Sequence, residues 1–274
     1  MKNILILTDF SESSWNSIEY ILTLYKDKES IFYLLNTPNS KNRSFKNNSK
    51  AIKDVINPAK EFDNLLLKIK AKKLAKNHTF HPTFINSNIV NATRDIVKEK
   101  SIGLIVIGTK GLSAKTDKSI GSVSEDIITK VKCSVLAVPS KAKYNGLQKI
   151  AFPTDYTNFY EAKLLQNGTN ILNFKESSIH FVYLAKTNNN LDKEQVWNKE
   201  TLCDYFKDKN HSFHNEINEN FEIAIENFVD KTAVNLIVMA AKNLNLFEQI
   251  LFRPNINNIK YYSTTPFLIL HHTF

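Results

Sequence analysis

Gly108, Thr109, Lys110 and Gly111, followed after nine residues by Gly121 and Ser122, are the residues best suited to hold an anion. The chain has only six glycines, and three fall in this window. Glycine lets a backbone turn sharply and approach a ligand with no Cβ in the way. The apolar run Leu104–Ile107 precedes the window and a helix-like run, Val123–Val131, follows it. Strand, glycine loop and helix together make a phosphate-binding turn, because the N–H groups that open a helix point at an anion.

Such a loop must be positioned by flanking elements, and the chain supplies them. Ile4–Leu7 reads as a buried strand ended by Thr8-Asp9-Phe10-Ser11. Ser11 or Ser13 can cap a helix with Trp15, Ile18, Ile21, Leu22 and Tyr25 on its apolar face. Strands are expected at Ser30–Asn36, Thr79–Ile85, Gly103–Ile107 and Ser134–Val138. A polar stretch, Thr37–Lys50, reads as a loop, and Ala51–Lys76 as a long helix that Pro58 interrupts. Shorter helices are expected at Asn91–Lys100 and Gly121–Lys132.

After a linker at Lys141–Gln148 the pattern restarts. Lys149–Asp155 repeats the opening strand and its Thr-Asp ending, and Asn210–His214 mirrors Asn77–His81. Leu236–Ala240 mirrors Leu104–Gly108, and Phe267–Leu270 mirrors the fifth strand. The chain therefore reads as two copies of one α/β unit, residues 1–142 and 147–274. Alternating strands and helices imply parallel sheets covered on both faces. Ligands of such sheets bind beyond the carboxyl ends of the strands, where the strand order reverses.

Charge divides unevenly between the copies. Residues 1–142 carry 23 Lys and Arg against 13 Asp and Glu; the remainder carry 13 against 14. A basic half can attract nucleotides, nucleic acid or acidic membranes. No run approaches the ~18 apolar residues of a membrane helix. The apolar opening soon meets Asp9, so it reads as a strand and not as a signal peptide, and a cytoplasmic location is expected. Lys68, Lys70, Lys72, Lys73 and Lys76 lack interleaved aromatics, which favours a solvated helix face over a nucleic-acid patch. Cys133 and Cys203 both read as buried free thiols.

No metal site is expected. His78/His81 and His211/His214 each open a strand, where residues three apart face opposite sides. Nor is a catalytic residue assigned: there is no Gly-x-x-x-x-Gly-Lys-Ser/Thr and no Gly-x-Ser-x-Gly.

The spacing Gly, two residues, Gly, nine residues, Gly-Ser resembles the nucleotide-binding motif of the universal stress protein family. Leu7-Thr8-Asp9-Phe10-Ser11 resembles that family's first strand and loop. The resemblance implies two tandem open five-stranded parallel sheets of order 3-2-1-4-5, flanked by helices, of the adenine nucleotide alpha hydrolase-like kind. It also implies pairing of the two domains through their fifth strands, as a built-in pseudo-dimer, with a homodimer as a further option. The implied ligand is ATP, or AMP or ADP, with Mg2+ accompanying the phosphates. Thr8 and Asp9 would lie near the adenosine, and Thr37 beside the base. Gly108, Thr109 and Gly111 would pass close to ribose and phosphates. Gly121, Ser122 and the N–H groups of Val123 and Ser124 would hold phosphate oxygens. Lys110, Lys115 and Lys118 add charge without fixed places in the motif.

The second copy departs from that pattern throughout. At the same spacing Gly108 becomes Ala240, Gly111 Asn243, Gly121 Arg253 and Ser122 Pro254. Arg253 puts a large cation where backbone should approach, and Pro254 lacks an N–H. One nucleotide site is therefore expected, in the first copy, with Asp155 left as a cap or turn residue. The implied role is a stress-response sensor or regulator read by a protein partner. An interaction scaffold without nucleotide, and a weak ATPase using a metal on Asp9, stand as alternatives.

Overall fold

The computed structural model describes residues 2–38, 57–73, 77–110, 120–172, 176–187, 190–242, 246, 248–252 and 261–271. The first half runs β1 (Lys2–Leu7), α1 (Glu12–Leu24), β2 (Ser30–Asn36), α2 (Pro58–Ala71), β3 (His78–Phe84), α3 (Ile89–Glu99), β4 (Leu104–Gly108), α4 (Ser122–Lys130) and β5 (Val135–Val138). The second runs β6 (Lys149–Thr154), α5 (Ala162–Leu172), β7 (Ser178–Ala185), α6 (Lys193–Phe206), β8 (His211–Ile217), α7 (Phe221–Thr232), β9 (Leu236–Ala240) and β10 (Phe267–Leu270).

The ten strands form one sheet in the order β3-β2-β1-β4-β5-β10-β9-β6-β7-β8. Each half keeps the order 3-2-1-4-5 and is parallel within itself. The halves are joined by an antiparallel pairing of β10 with β5, with Phe267 opposite Ala137, Leu268 opposite Leu136 and Ile269 opposite Val135. The two expected sheets are thus continuous, and neither fifth strand is left as an open edge.

The inner strands β4, β5, β9 and β10 are buried on both faces, which is why their sequences read as apolar runs, while the edge strands β3 and β8 are half-buried and polar. Ile4, Ile6, Leu104, Val106, Leu136 and Leu268 pack into the layer beneath α1, α2, α5 and α6. Leu5, Leu7, Ile105, Ile107, Val135 and Ile269 pack into the opposite layer with α3, α4 and α7. Both layers run through both halves. Side-chain hydrogen bonds cross the junction as well: Tyr25 Oη donates to Ile171 O at 2.8 Å. Asn16 Nδ2 holds the start of the linker at Pro139 O, 2.8 Å, and Ala142 O, 3.0 Å.

One sequence expectation is corrected and one is made specific. At Pro58 the described residues show the opening of α2, with Asn57 as the cap. The first turn is where proline's missing N–H has no cost and its fixed φ is helical. The expected helix residues 51–56 and 74–76 lie outside the described residues, as do 39–50 of the expected loop. Cys203, read as buried, is exposed. The buried stripe of α6 is Asn198, Leu202 and Phe206, and position 203 falls beside it. Cys133 is fully buried, and burial pushes its thiol up to about 12.

The basic run behaves as a solvated face anchored at two residues. Lys68 lies 4.1 Å over the Trp15 ring and 3.5 Å from Glu12, Lys72 pairs with Glu19, and Lys70 and Lys73 are exposed.

A disulfide-exchange reagent added to the native protein should therefore titrate one thiol, Cys203. Cys133 should react only after unfolding, and a second fast thiol in the native state would contradict its burial. Leu136 and Leu268 are both sealed from solvent. Leu268→Ala should lower stability in urea unfolding by about 2–5 kcal/mol. A loss within about 0.5 kcal/mol, ordinary for surface changes, would contradict the burial of this strand pair.

Candidate functional site: the crevice between the first and fourth strands

Strands β1 and β4 are neighbours, with Ile6 opposite Val106. The strand order reverses between them, so their carboxyl ends border the crevice where such sheets take ligands. Thr8 and Asp9 leave β1 there, and Thr109 and Lys110 leave β4.

The β1–α1 turn is built by its own short side chains. Thr8 Oγ1 accepts from Phe10 N at 3.0 Å, and Asp9 Oδ1 accepts from Ser11 N at 3.1 Å. Ser11 Oγ then caps α1 by accepting from Ser14 N at 3.1 Å. Phe10 takes φ 62°, the left-handed turn that lets strand pass directly into helix. One oxygen of Asp9 thus holds the turn, and the half-buried carboxylate stays at the crevice. Asn36 Nδ2 donates to Thr8 O at 2.7 Å and draws the end of β2 alongside, which leaves Thr37 half-buried at the rim.

The ends of the glycine loop are pinched together. Thr109 N donates to Val138 O at 3.0 Å, and Gly121 N donates to Thr109 O at 2.7 Å. Ser124 is buried, and its Oγ donates to Gly108 O at 2.9 Å. That side chain fixes α4 to β4 and is not offered outward. Gly121 is the N-cap of α4 and supplies no side-chain hydrogen bond. Ser122 and Val123 behind it are exposed. The uncapped opening turn of α4 therefore presents backbone N–H groups at the crevice, with the positive end of the helix dipole behind them. Gly111, Lys115 and Lys118 lie outside the described residues.

Gly108 has a packing cause of its own. A Cβ there would stand 2.8 Å from Ser13 Oγ and 3.0 Å from Ser13 O, on the first turn of α1. The absent side chain lets the start of α1 sit directly on β4.

The second half repeats the turn but seals its aromatic residue into the core. Tyr156 N donates to Thr154 Oγ1 at 3.0 Å, Thr157 N donates to Asp155 Oδ1 at 3.0 Å, and Tyr156 has φ 58°. Asp155 is a turn residue, and Asp9 does the same work in its own turn. Phe10 is half-buried and meets Phe62 edge-on at 5.1 Å, whereas Tyr156 is sealed and stacks on Tyr183 at 5.2 Å. The start of α6 is tied down over this turn. Asn198 Nδ2 donates to Tyr156 O at 2.8 Å, and Gln195 Nε2 to Asp155 O at 2.9 Å. Helix α5 begins only at Ala162, farther from its strand than α1 from β1, and position 240 carries an alanine. Asn243, Arg253 and Pro254 lie outside the described residues. The sequence did not reveal the sealing of Tyr156 against Tyr183; its signal was Tyr156 standing where the first copy has Phe10.

Gly108→Ala should cost about 1–3 kcal/mol in chemical unfolding, because Ser13 backbone must move. Ala240→Gly should cost less than about 1 kcal/mol. Equal costs at the two positions would contradict the close approach of α1.

The universal stress protein family matches this sequence over residues 1–139, just over half of the chain. No curated protein matches it significantly. Among solved structures, a universal stress protein from Archaeoglobus fulgidus DSM 4304 aligns over 99% of this chain and 98% of its own, with TM-score 0.63 at 14% identity. A functionally unknown protein from Pseudomonas aeruginosa PAO1 aligns over 98% of this chain and 92% of its own, with TM-score 0.58 at 12% identity. The cytoplasmic domain of a prokaryotic cation chloride cotransporter aligns over 98% and 95%, with TM-score 0.55 at 10% identity. At these identities the likeness is one of fold. With the matched family and the glycine-bounded crevice, it makes the chain a member of the universal stress protein family.

Proposed function

We propose that this protein binds ATP, or a related adenine nucleotide, in the crevice of residues 1–142, and acts as a sensor or regulator without turnover. The observation that carries the reading is the opening of α4. Gly121 leaves the helix without a side-chain cap, and Ser122 and Val123 stand exposed at the strand-order reversal. In this reading the N–H groups of Ser122, Val123 and Ser124 take phosphate oxygens. Gly121 contributes the close approach, since its own N–H is spent on Thr109 O. Asp9 and Thr37, at the ends of β1 and β2, border the adenosine. Thr8 and Thr109 are buried and shape the floor. Any Mg2+ would arrive with the phosphates, and Asp9 is the carboxylate among the described residues that borders them.

Residues 147–274 form the second domain in this reading, a partner that has lost its own site. Its sequence has Ala240, Asn243, Arg253 and Pro254 in place of the motif residues, its Tyr156 is sealed against Tyr183, and Asn198 and Gln195 tie down the turn. A protein partner would then read the state of the first domain. Among the described residues no helix is long and apolar enough to cross a membrane, which accords with action in the cytoplasm. Among the described residues at the crevice none is placed to activate water, so sensing is preferred to hydrolysis.

Gly121 has φ −71°, which a residue with a side chain also adopts, so Gly121→Arg should fold. Calorimetric titration with ATP should give one site per chain in the wild type. Gly121→Arg should weaken it at least about tenfold, ~1.4 kcal/mol. Nucleotide released on denaturing the purified protein would identify the physiological ligand. If ATP, ADP and AMP all fail to bind, the protein is a scaffold. If Gly121→Arg binds as well as the wild type, the site lies elsewhere.

A further inference from the structure

The second half carries a side-chain cluster that the nucleotide reading does not use. His180 on β7 is paired with Ser212 on β8, and Val182 with His214. His180, Ser212 and His214 therefore share one face of the sheet. His180 Nδ1 lies 2.9 Å from Ser212 Oγ and 3.2 Å from His214 Nε2, and Ser212 Oγ lies 2.8 Å from that same Nε2. Three electronegative atoms thus converge. His180 Nδ1 and His214 Nε2 can hydrogen-bond when one carries its ring proton and the other offers a lone pair. With the hydroxyl proton, that makes two protons for three contacts.

We propose that these three residues bind a zinc-type divalent cation. Metal–nitrogen bonds to histidine are about 2.0–2.1 Å, and two nitrogens 3.2 Å apart then subtend about 100° at the metal, close to tetrahedral. An ion just above the triangle reaches both nitrogens and the hydroxyl oxygen at such distances. Two imidazoles and no carboxylate select zinc, copper or nickel over calcium or magnesium. The ring of Phe228 on α7 walls the cluster, with centroids 6.0 Å from His180 and 5.0 Å from His214. The outer nitrogen of His180 is buried with no hydrogen-bond partner, so the ring is held from the cluster side. All three residues are only half-buried and β8 is the outermost strand, so water can complete the coordination.

The duplicated first half shows that the fold does not require this arrangement. The stacked pair Phe32–Phe80 corresponds to Phe181–Phe213. Ile31 opposite Thr79 then stands where His180 faces Ser212, and Tyr33 opposite His81 stands where Val182 faces His214. The first half therefore has one imidazole where the second has two. The argument along a single strand still holds: His211 packs with Phe181 and Phe213, in the layer opposite His214. The second ligand comes from the neighbouring strand. Among the described residues no group of three or more His, Cys, Asp or Glu converges, so the site rests on two histidines and a hydroxyl. Nearby Lys149 opposes a cation and limits its affinity.

The full chain, free of nucleotide and chelator, should be titrated with Zn2+ by calorimetry and with Co2+ by visible absorption. One ion per chain and a tetrahedral cobalt spectrum are expected. His180→Ile, which copies the first half, and His214→Gln should each weaken Zn2+ at least about tenfold and abolish the cobalt band. His211→Gln should change neither. If His180→Ile does not fold, His214→Gln decides. The proposal is overturned if no ion binds stoichiometrically, or if binding survives both substitutions. Neither result bears on ATP binding in the first half.

Discussion

The antiparallel pairing of β5 with β10 is the constraint on which the arrangement of everything else depends. Each half is a parallel sheet with one exposed fifth strand, and a row of unpaired N–H and C=O groups on an apolar strand is unstable in water. Joining the two edges removes both liabilities and makes each apolar layer continuous across the molecule. Because the pairing is antiparallel, the carboxyl ends of the two sets of strands lie at opposite ends of the sheet. The two crevices therefore cannot cooperate on one ligand, and each half can be specialised independently. The stability of either half is shared, since Leu136 and Leu268 lie in the same layer.

That independence is visible in how the copies diverge. Both keep the same turn after the first strand: a threonine and an aspartate accept consecutive backbone N–H groups, and the aromatic that follows them takes positive φ. The aspartate is thus retained for backbone reasons in both halves and says little about ligand by itself. What separates the halves is what stands over the turn. In the first, a glycine-opened helix faces the crevice and Phe10 is only half-buried. In the second, Tyr156 is sealed against Tyr183 and the start of α6 is tied down over the turn. The His180–Ser212–His214 cluster reverses the asymmetry: there the second half has gained polar groups where the first keeps Ile31.

Much of the fold could be read from the sequence because it depends on local signals. Apolar runs of four to six residues marked the buried strands, and the recurrence of Thr-Asp after the first strand of each half marked the duplication. Pro58 marked a helix boundary, but proline both ends a helix interior and favours a first turn, and the sequence does not say which applies. Cys203 misled because its burial depends on which stripe of α6 faces the sheet. At the site, the glycine spacing identified the window but not the cause at each position. The contact of Gly108 with Ser13 and the bond from Ser124 Oγ to Gly108 O are packing facts, legible only once α1, β4 and α4 are placed. The cross-strand histidine pair was equally hidden, because it depends on register between β7 and β8 and not on spacing along either.

The central claim is that one half binds nucleotide and the other does not, and residue-resolved amide chemical shifts during an ATP titration test it most directly. The account predicts saturable shifts at Asp9, Thr37, Lys110, Ser122, Val123 and Ser124. It predicts no direct effect at Asp155, Tyr156 and Ala240, at the far end of the sheet. Shifts centred on the second crevice, or none at the opening of α4, would contradict it.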